Sequence, residues 1–274
     1  MSTQSQARMP PAQGPGEAAA VPDIRLERHG ALATVTLSNL PRLNAMTRNM
    51  WLALRAAFES LNADADLRCV VLRGEGGCFC AGGDISEYPG FRFDEAQLAH
   101  FHEAQVWGAL HAILECPVPV VAAIEGACMG AGLEIASCCD IRLAGEGSRF
   151  GAPIARLGFP MAPREAALVH AAVGDALVRD MLFCAGVHTA ERLLQAGFLL
   201  RVLPDAQVAA AAQACAGRIA ELAPLAARAN KRNLRLLAAT RVAPELLEGA
   251  YRYADSPEHR EGVGAFLDKR PPRF

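Results

Sequence analysis

Two glycine-rich segments are the places in this sequence where a ligand could approach the main chain most closely. The first reads Cys78-Phe79-Cys80-Ala81-Gly82-Gly83-Asp84-Ile85, and the second Gly126-Ala127-Cys128-Met129-Gly130-Ala131-Gly132-Leu133-Glu134-Ile135-Ala136. Small residues admit a bound molecule to the backbone, whose N–H groups are then available to it. Glu134 lies just inside the second segment and is a candidate for acid–base work. Plainer readings exist: Gly82, Gly83, Gly130 and Gly132 would serve as turn glycines, and Glu134 as a carboxylate favoured near a helix start. Asp84 reads as orienting the first loop through hydrogen bonds to main-chain N–H groups. Cys80 has no His placed by sequence to activate it, so it reads as a small buried residue. His100 and His102 fall on a predicted helix and read as surface or packing residues.

The surrounding pattern shows what must hold the two segments. Residues 24–28 and 31–37 alternate about His29-Gly30 as an antiparallel hairpin. Thr47 is placed to cap a helix running to about Leu61, with Met50, Leu52, Leu54 and Phe58 on its apolar face. Residues 69–72 form a short apolar run leading into the first glycine loop, and 118–124 a second run leading into the other. A helix is expected from Asp94 to about Leu114, another from the second loop to about Cys138, and a third strand over 141–144. Strands alternating with helices at this spacing predict an α/β fold with a parallel sheet, and functional groups on loops after the carboxyl ends of its strands. From about Ala206 the pattern is helical only, over 208–222, 225–239, 244–254 and 257–267. Residues 1–22, rich in Gln, Pro, Ala, Ser and Gly, read as a disordered tail without a secretory signal.

Composition narrows the function. Of the 274 residues 52% are hydrophobic and 20% charged, enough for a sizeable core, and the net charge of −2 gives no reason to expect nucleic acid or an anionic membrane as partner. No apolar stretch reaches the roughly 20 residues that span a bilayer. Nine cysteines without paired CxxC motifs read as free thiols in a reducing cytoplasm, with no zinc site.

The two glycine segments together resemble the paired signature loops of the enoyl-CoA hydratase/isomerase (crotonase) family. Flanking segments agree in order: Arg42-Leu43-Asn44-Ala45-Met46, Pro119-Val120-Val121-Ala122-Ala123, Cys139-Asp140-Ile141-Arg142, Phe150-Gly151-Ala152-Pro153 and Phe266-Leu267-Asp268-Lys269-Arg270-Pro271. The resemblance spans roughly residues 23–274. It implies a crotonase-like fold, a parallel-sheet spiral of β-β-α units over 23–204, followed by a helical segment over 205–274 used for trimerisation. It implies an acyl-CoA thioester as substrate, a homotrimer or a hexamer of two trimers, and no cofactor beyond the coenzyme A carried by the substrate.

By residue-wise match, the Gly83 and Ala131 N–H groups would form an oxyanion hole for the thioester oxygen, where loss of one donor typically raises a barrier by about 2.7–4 kcal/mol. Glu134 matches the first of two hydratase glutamates. Arg42, Ala45, Ala81, Gly82, Asp84, Ile85, Gly130 and Lys269 match positions that touch the substrate or its CoA. The second glutamate would directly follow Phe150-Gly151-Ala152-Pro153, and Ile154 stands there instead. An isoleucine neither holds a water nor moves a proton. Three alternatives follow: Glu134 works alone; Glu165, Glu87 or Asp84 replaces the missing carboxylate; or the site runs a decarboxylation, a thioester hydrolysis or a single-base isomerisation. A non-catalytic acyl-CoA-binding protein is the reading from another class. Arg164-Glu165 stands where typical hydratases are glycine-rich, and reads as either a solvated helix start or a rebuilt acyl pocket.

Overall fold

The computed structural model describes residues 21–238 and 251–273. The tail read over 1–22 and the helix read over 244–254 lie mostly outside them.

Strands β1 (Asp23–His29) and β2 (Leu32–Ser38) form the expected antiparallel hairpin, turned at Gly30 with φ +59°. Next to β2 run β3 (Cys69–Gly74), β4 (Val120–Ile124), β6 (Ile141–Gly145) and β9 (Arg201–Leu203), each parallel to its neighbour. The sheet order is β1-β2-β3-β4-β6-β9. A second sheet joins β5 (Ala127–Met129), β7 (Arg149–Gly151) and β8 (Val187–Thr189).

Alternation along the strands sends side chains to two cores. Val70 and Leu72 of β3 and Val120, Ala122 and Ile124 of β4 join the main core. Cys69, Val71, Val121 and Ala123 face the other way, under Val208, Ala212, Cys215 and Ala216 of α8 (Val208–Glu221). That helix begins the segment expected to be a helical appendage, yet it covers one face of the sheet. Among the described residues α9 (Pro224–Ala238) and α10 (Pro257–Leu267) follow it.

Thr47 caps α1 (Arg48–Asn62) as expected, accepting from the Met50 N–H at 3.1 Å. Met50, Leu54 and Phe58 are buried, but Leu52 is 48% exposed and Trp51 takes the inward position. Apolar character misplaced Leu52; the 3.6-residue period puts Trp51, Leu54 and Phe58 on one face. The helix expected from Asp94 runs as α2 (Glu95–His100), a π-helical stretch Phe101–Val106 and α3 (Trp107–Leu114). Helices α4 (Ala131–Ser137) and α5 (Pro163–Val173) pack against each other. Among the described residues no helix is long and apolar enough to cross a membrane.

Helix α4 enters against the first glycine loop through Gly132, where an added Cβ would lie 2.6 Å from the Cys80 carbonyl oxygen and 2.9 Å from the Cys80 Cβ. Backbone cannot yield there as a long side chain would. Gly132→Ala is expected to cost about 1–3 kcal/mol as overpacking and to lower Tm by roughly 2–10 °C in a thermal melt. An unchanged Tm would show that the two loops separate freely.

Candidate active site

Neighbouring parallel strands end side by side, so the loops after β3 and β4 meet. Cys80 donates its N–H to the Ala127 carbonyl (2.8 Å) and accepts from the Met129 N–H (2.9 Å). On the other flank Met46 donates to the Gly82 carbonyl (2.8 Å) and accepts from the Asp84 N–H (2.9 Å), an isolated parallel bridge with Gly83. In a parallel pairing the residue that exchanges both bonds is Met46, so the amide N–H of Gly83 turns to the opposite side. Ala131 is the first residue of α4, where an N–H has no intrahelical acceptor. Neither N–H donates to a protein acceptor among the described residues. Both loops need glycine to reach this shape: φ is +120° at Gly82 and +45° at Gly130.

Asn44 clamps the arrangement. Its side chain accepts from the Asn39 N–H (2.9 Å) and donates to the carbonyls of Glu75 (2.8 Å) and Cys78 (2.6 Å), while Asn39 donates to the Ala45 carbonyl (2.8 Å). Ala45 is therefore held buried beside the first loop, and Arg42 is exposed on the turn before it. The Ala81 N–H bonds the Leu43 carbonyl (3.0 Å), and Ile85 packs against the main core. Lys269 lies on the exposed turn that ends α10; that helix packs on the turns Ile85–Gly90 and Ile154–Leu157.

Of the carboxylates considered for the missing partner, two are engaged elsewhere. Asp84 Oδ1 accepts from the Ser86 N–H (3.0 Å) and hydroxyl (2.6 Å), which is the loop-orienting role expected of it. Glu87 accepts from the Arg48 N–H (2.8 Å) at the start of α1. Glu165, on the first turn of α5, is 1% exposed and close enough to Glu134 to repel it. Desolvation pushes both carboxyls up to about 8; repulsion from Glu165 adds to it at Glu134 and repulsion from Glu103 at Glu165, while Arg92 opposes the rise at both. Because the repulsion between Glu134 and Glu165 belongs to both, the two titrate as one system. Of the two readings of Arg164-Glu165, the solvated helix start does not hold for Glu165. Ile154 instead packs on the core and, with Phe159, Met161, Ala166 and Leu182, lines an apolar cavity of about 660 Å³ that neither glycine loop borders.

Several groups at the site were not legible in the sequence. His102, read as a surface or packing residue, has a side chain only 12% exposed, and its Nδ1 lies 3.0 Å from Glu165 Oε1. Its ring stacks on Tyr251, whose hydroxyl donates to Glu103. The π-helical stretch sets its direction, and nothing in the local pattern announces such a stretch. Arg92 is buried with its guanidinium 4.6 Å from the Tyr88 ring centre and 3.8 Å from that of Phe159. Tyr88 presses its hydroxyl on Gly83, where an added Cβ would lie 2.3 Å from it. Burial pushes the Tyr88 phenol up, so it stays a donor. Cys80 is fully buried and its thiol is pushed up to about 12, which fits a packing residue and not a nucleophile.

Comparison with known proteins gives a consistent result. The family model for enoyl-CoA hydratase/isomerase matches residues 27–274. A putative enoyl-CoA hydratase of Thermus thermophilus is 30% identical over 260 residues, 92% of this chain and 100% of that one. The crystal structure of an enoyl-CoA hydratase/carnithine racemase from Magnetospirillum magneticum superposes with a TM-score of 0.76 at 38% identity, covering 92% of this chain and 94% of that one. A methylmalonyl-CoA decarboxylase in complex with 2-nitronate-propionyl-CoA superposes with a TM-score of 0.81 at 27% identity, covering 92% and 97%.

The raised ionisation of the two carboxyls has a consequence for stability. A carboxyl whose folded pKa exceeds its unfolded value, about 4.3 for Glu, binds its proton more tightly when folded. Its stabilisation is complete below the unfolded value and is lost as pH rises through the folded one. Glu165→Gln, which keeps an acceptor for His102, removes that loss. In thermal melts the variant is expected to exceed the native protein by at least about 2–4 °C at pH 9, for every 1 kcal/mol regained, and by less at pH 5. A difference independent of pH would contradict the raised ionisation of the pair.

Proposed function

The chain belongs to the enoyl-CoA hydratase/isomerase family, and from that premise we propose that it is an enzyme acting on an acyl-CoA thioester, with Glu134 and Glu165 as its two acid–base carboxyls. The observation that carries this reading is the full burial of Glu165 on α5, the helix packed on the Glu134-bearing α4, in a chain with isoleucine at position 154. The N–H groups of Gly83 and Ala131 would receive the thioester oxygen, with the start of α4 adding its dipole.

For water addition to an α,β-unsaturated thioester, the water oxygen bonds the β-carbon and one carboxylate takes the water proton. The alkene electrons move to the thioester oxygen as an enolate, held by the two N–H groups. The other carboxyl returns a proton to the α-carbon. Carboxyls raised toward neutrality by burial suit both roles near neutral pH. The donors and carboxyls supply this chemistry without a metal or redox group; coenzyme A enters with the substrate.

Arg42, Ala45, Ala81, Gly82, Asp84, Ile85 and Gly130 would border the substrate, with Lys269 as a phosphate contact. The apolar cavity beside Ile154 suits part of an acyl chain or a subunit contact. Exposed Leu225, Leu234, Phe266 and Leu267 support assembly as a homotrimer or a dimer of trimers through the C-terminal helices. Nine free thiols, eight of them buried, suit a reducing cytoplasm.

The test is hydration of crotonyl-CoA, followed by loss of ultraviolet absorbance. Glu134→Gln and Glu165→Gln are each expected to lower kcat by about 10²–10⁴-fold. Full activity in Glu165→Gln would remove Glu165 from the mechanism. No turnover in the native protein, with acyl-CoA still bound, would replace hydration by decarboxylation, thioester hydrolysis, single-base isomerisation or simple binding.

A further inference from the structure

The two carboxyls of the pair sit in unequal surroundings. Arg92 Nη1 lies 3.3 Å from His102 Nε2, and Arg92 Nε donates to His259 Nε2 at 3.0 Å. A guanidinium only donates. His102 Nε2 must therefore be an acceptor, and the ring proton sits on Nδ1. That Nδ1–H points at Glu165 Oε1, 3.0 Å away. His259 is set the same way, with its Nδ1 facing the Ala254 carbonyl at 3.1 Å. Burial and Arg92 hold His102 well below the ordinary histidine range, so the contact is a hydrogen bond from a neutral ring. Glu165 Oε2 is buried with no hydrogen-bond partner among the described residues, and Glu134 has no protein donor on its carboxyl among them.

We propose that Arg92 and His102 divide the labour of the carboxyl pair: the His102 Nδ1–H holds Glu165 as the ionised member and base, and the shared proton stays on Glu134, the acid. A hydrogen bond donated to a carboxylate favours its charged form. Glu165 receives one; Glu134 does not. With Oε1 occupied by His102, Oε2 is the atom left to take a proton from the reacting water or substrate. His102 is a positioning residue, and its tautomer is imposed from behind by a cation that cannot reverse the bond.

Among the other charged groups, Glu103 pushes the Glu165 carboxyl up and Arg164 pulls it down, and these two oppose each other as an ion pair. Glu103, from the π-helical stretch, is paired with Arg164 (2.8 Å) and with the Tyr251 hydroxyl. Arg92 favours the charged form of both carboxyls, and His259 is held neutral with a pKa of about 4. Tyr88 stays protonated. These groups act alike in the variants below.

This inference rests on the paired-carboxyl reading, so its test does not use turnover. In protein labelled with ¹³C at the glutamate carboxyls, the Glu134 and Glu165 signals are assigned by their loss in the single Gln variants and titrated by NMR. Glu165 is expected to ionise first in the native protein. His102→Leu should raise its midpoint by about one to two pH units and pass the first ionisation to Glu134. His102→Asn, which keeps a donor where Nδ1 stood, should restore the native order. If the Leu variant does not fold, His102→Gln, with its donor moved toward the Nε2 position, takes its place. Ionisation of Glu134 first in the native protein, or one titration order in all variants, would overturn the proposal. Absence of crotonyl-CoA hydration with the expected titration would instead remove only the hydratase reading.

Discussion

The site depends on main-chain pairing between segments distant in sequence. Met46 bonds to both sides of Gly83, and Cys80 to both sides of Cys128. Each pairing satisfies buried polar groups that would otherwise be costly, and each fixes which way the remaining amides turn. The free N–H of Gly83 results from the register of a parallel bridge; that of Ala131 results from a helix beginning where a glycine at φ +45° lets the chain turn. Side chains enter mainly as clamps. Asn44, itself at φ +59°, ties the turn before α1 to the first loop with bonds at both ends of its amide.

Around that frame the protein buries Glu165, Arg92 and His259 and partly buries Glu134 and His102. Isolated buried charges are expensive, and such groups either pair or neutralise. Here both occur. The carboxyls rise toward their neutral forms and the histidines fall toward theirs, while Arg92 keeps its charge between two aromatic faces. Because an arginine cannot change its protonation in this range, it is the fixed point against which the titratable neighbours are set.

Much of this was legible in the sequence, and what was not has a physical reason. The hairpin about Gly30, the Thr47 cap and the strands feeding the two glycine loops rest on local patterns, and they are where those patterns put them. Glu165 was one of three carboxylates near the relevant loops; separating it from Asp84 and Glu87 required seeing those two bonded to nearby main-chain N–H groups. His102 and Arg92 carried no local signal. The direction of His102 depends on a π-helical stretch, and Arg92 is defined by aromatic rings 4 residues before it and far beyond it in the chain, at Tyr88 and Phe159.

In the proposed reading, the isoleucine at position 154 does not remove the second carboxyl from the site. A site needs a carboxyl oxygen at a point in space, and the backbone can deliver one from any element that passes near. Helix α5 packs on α4, the helix that bears Glu134, and carries Glu165 on its first turn. Ile154 itself joins the core and an apolar cavity wall. On α5, Glu165 meets His102 and the charge behind it. Such partners, more than the position in the chain, determine when a carboxyl holds its proton.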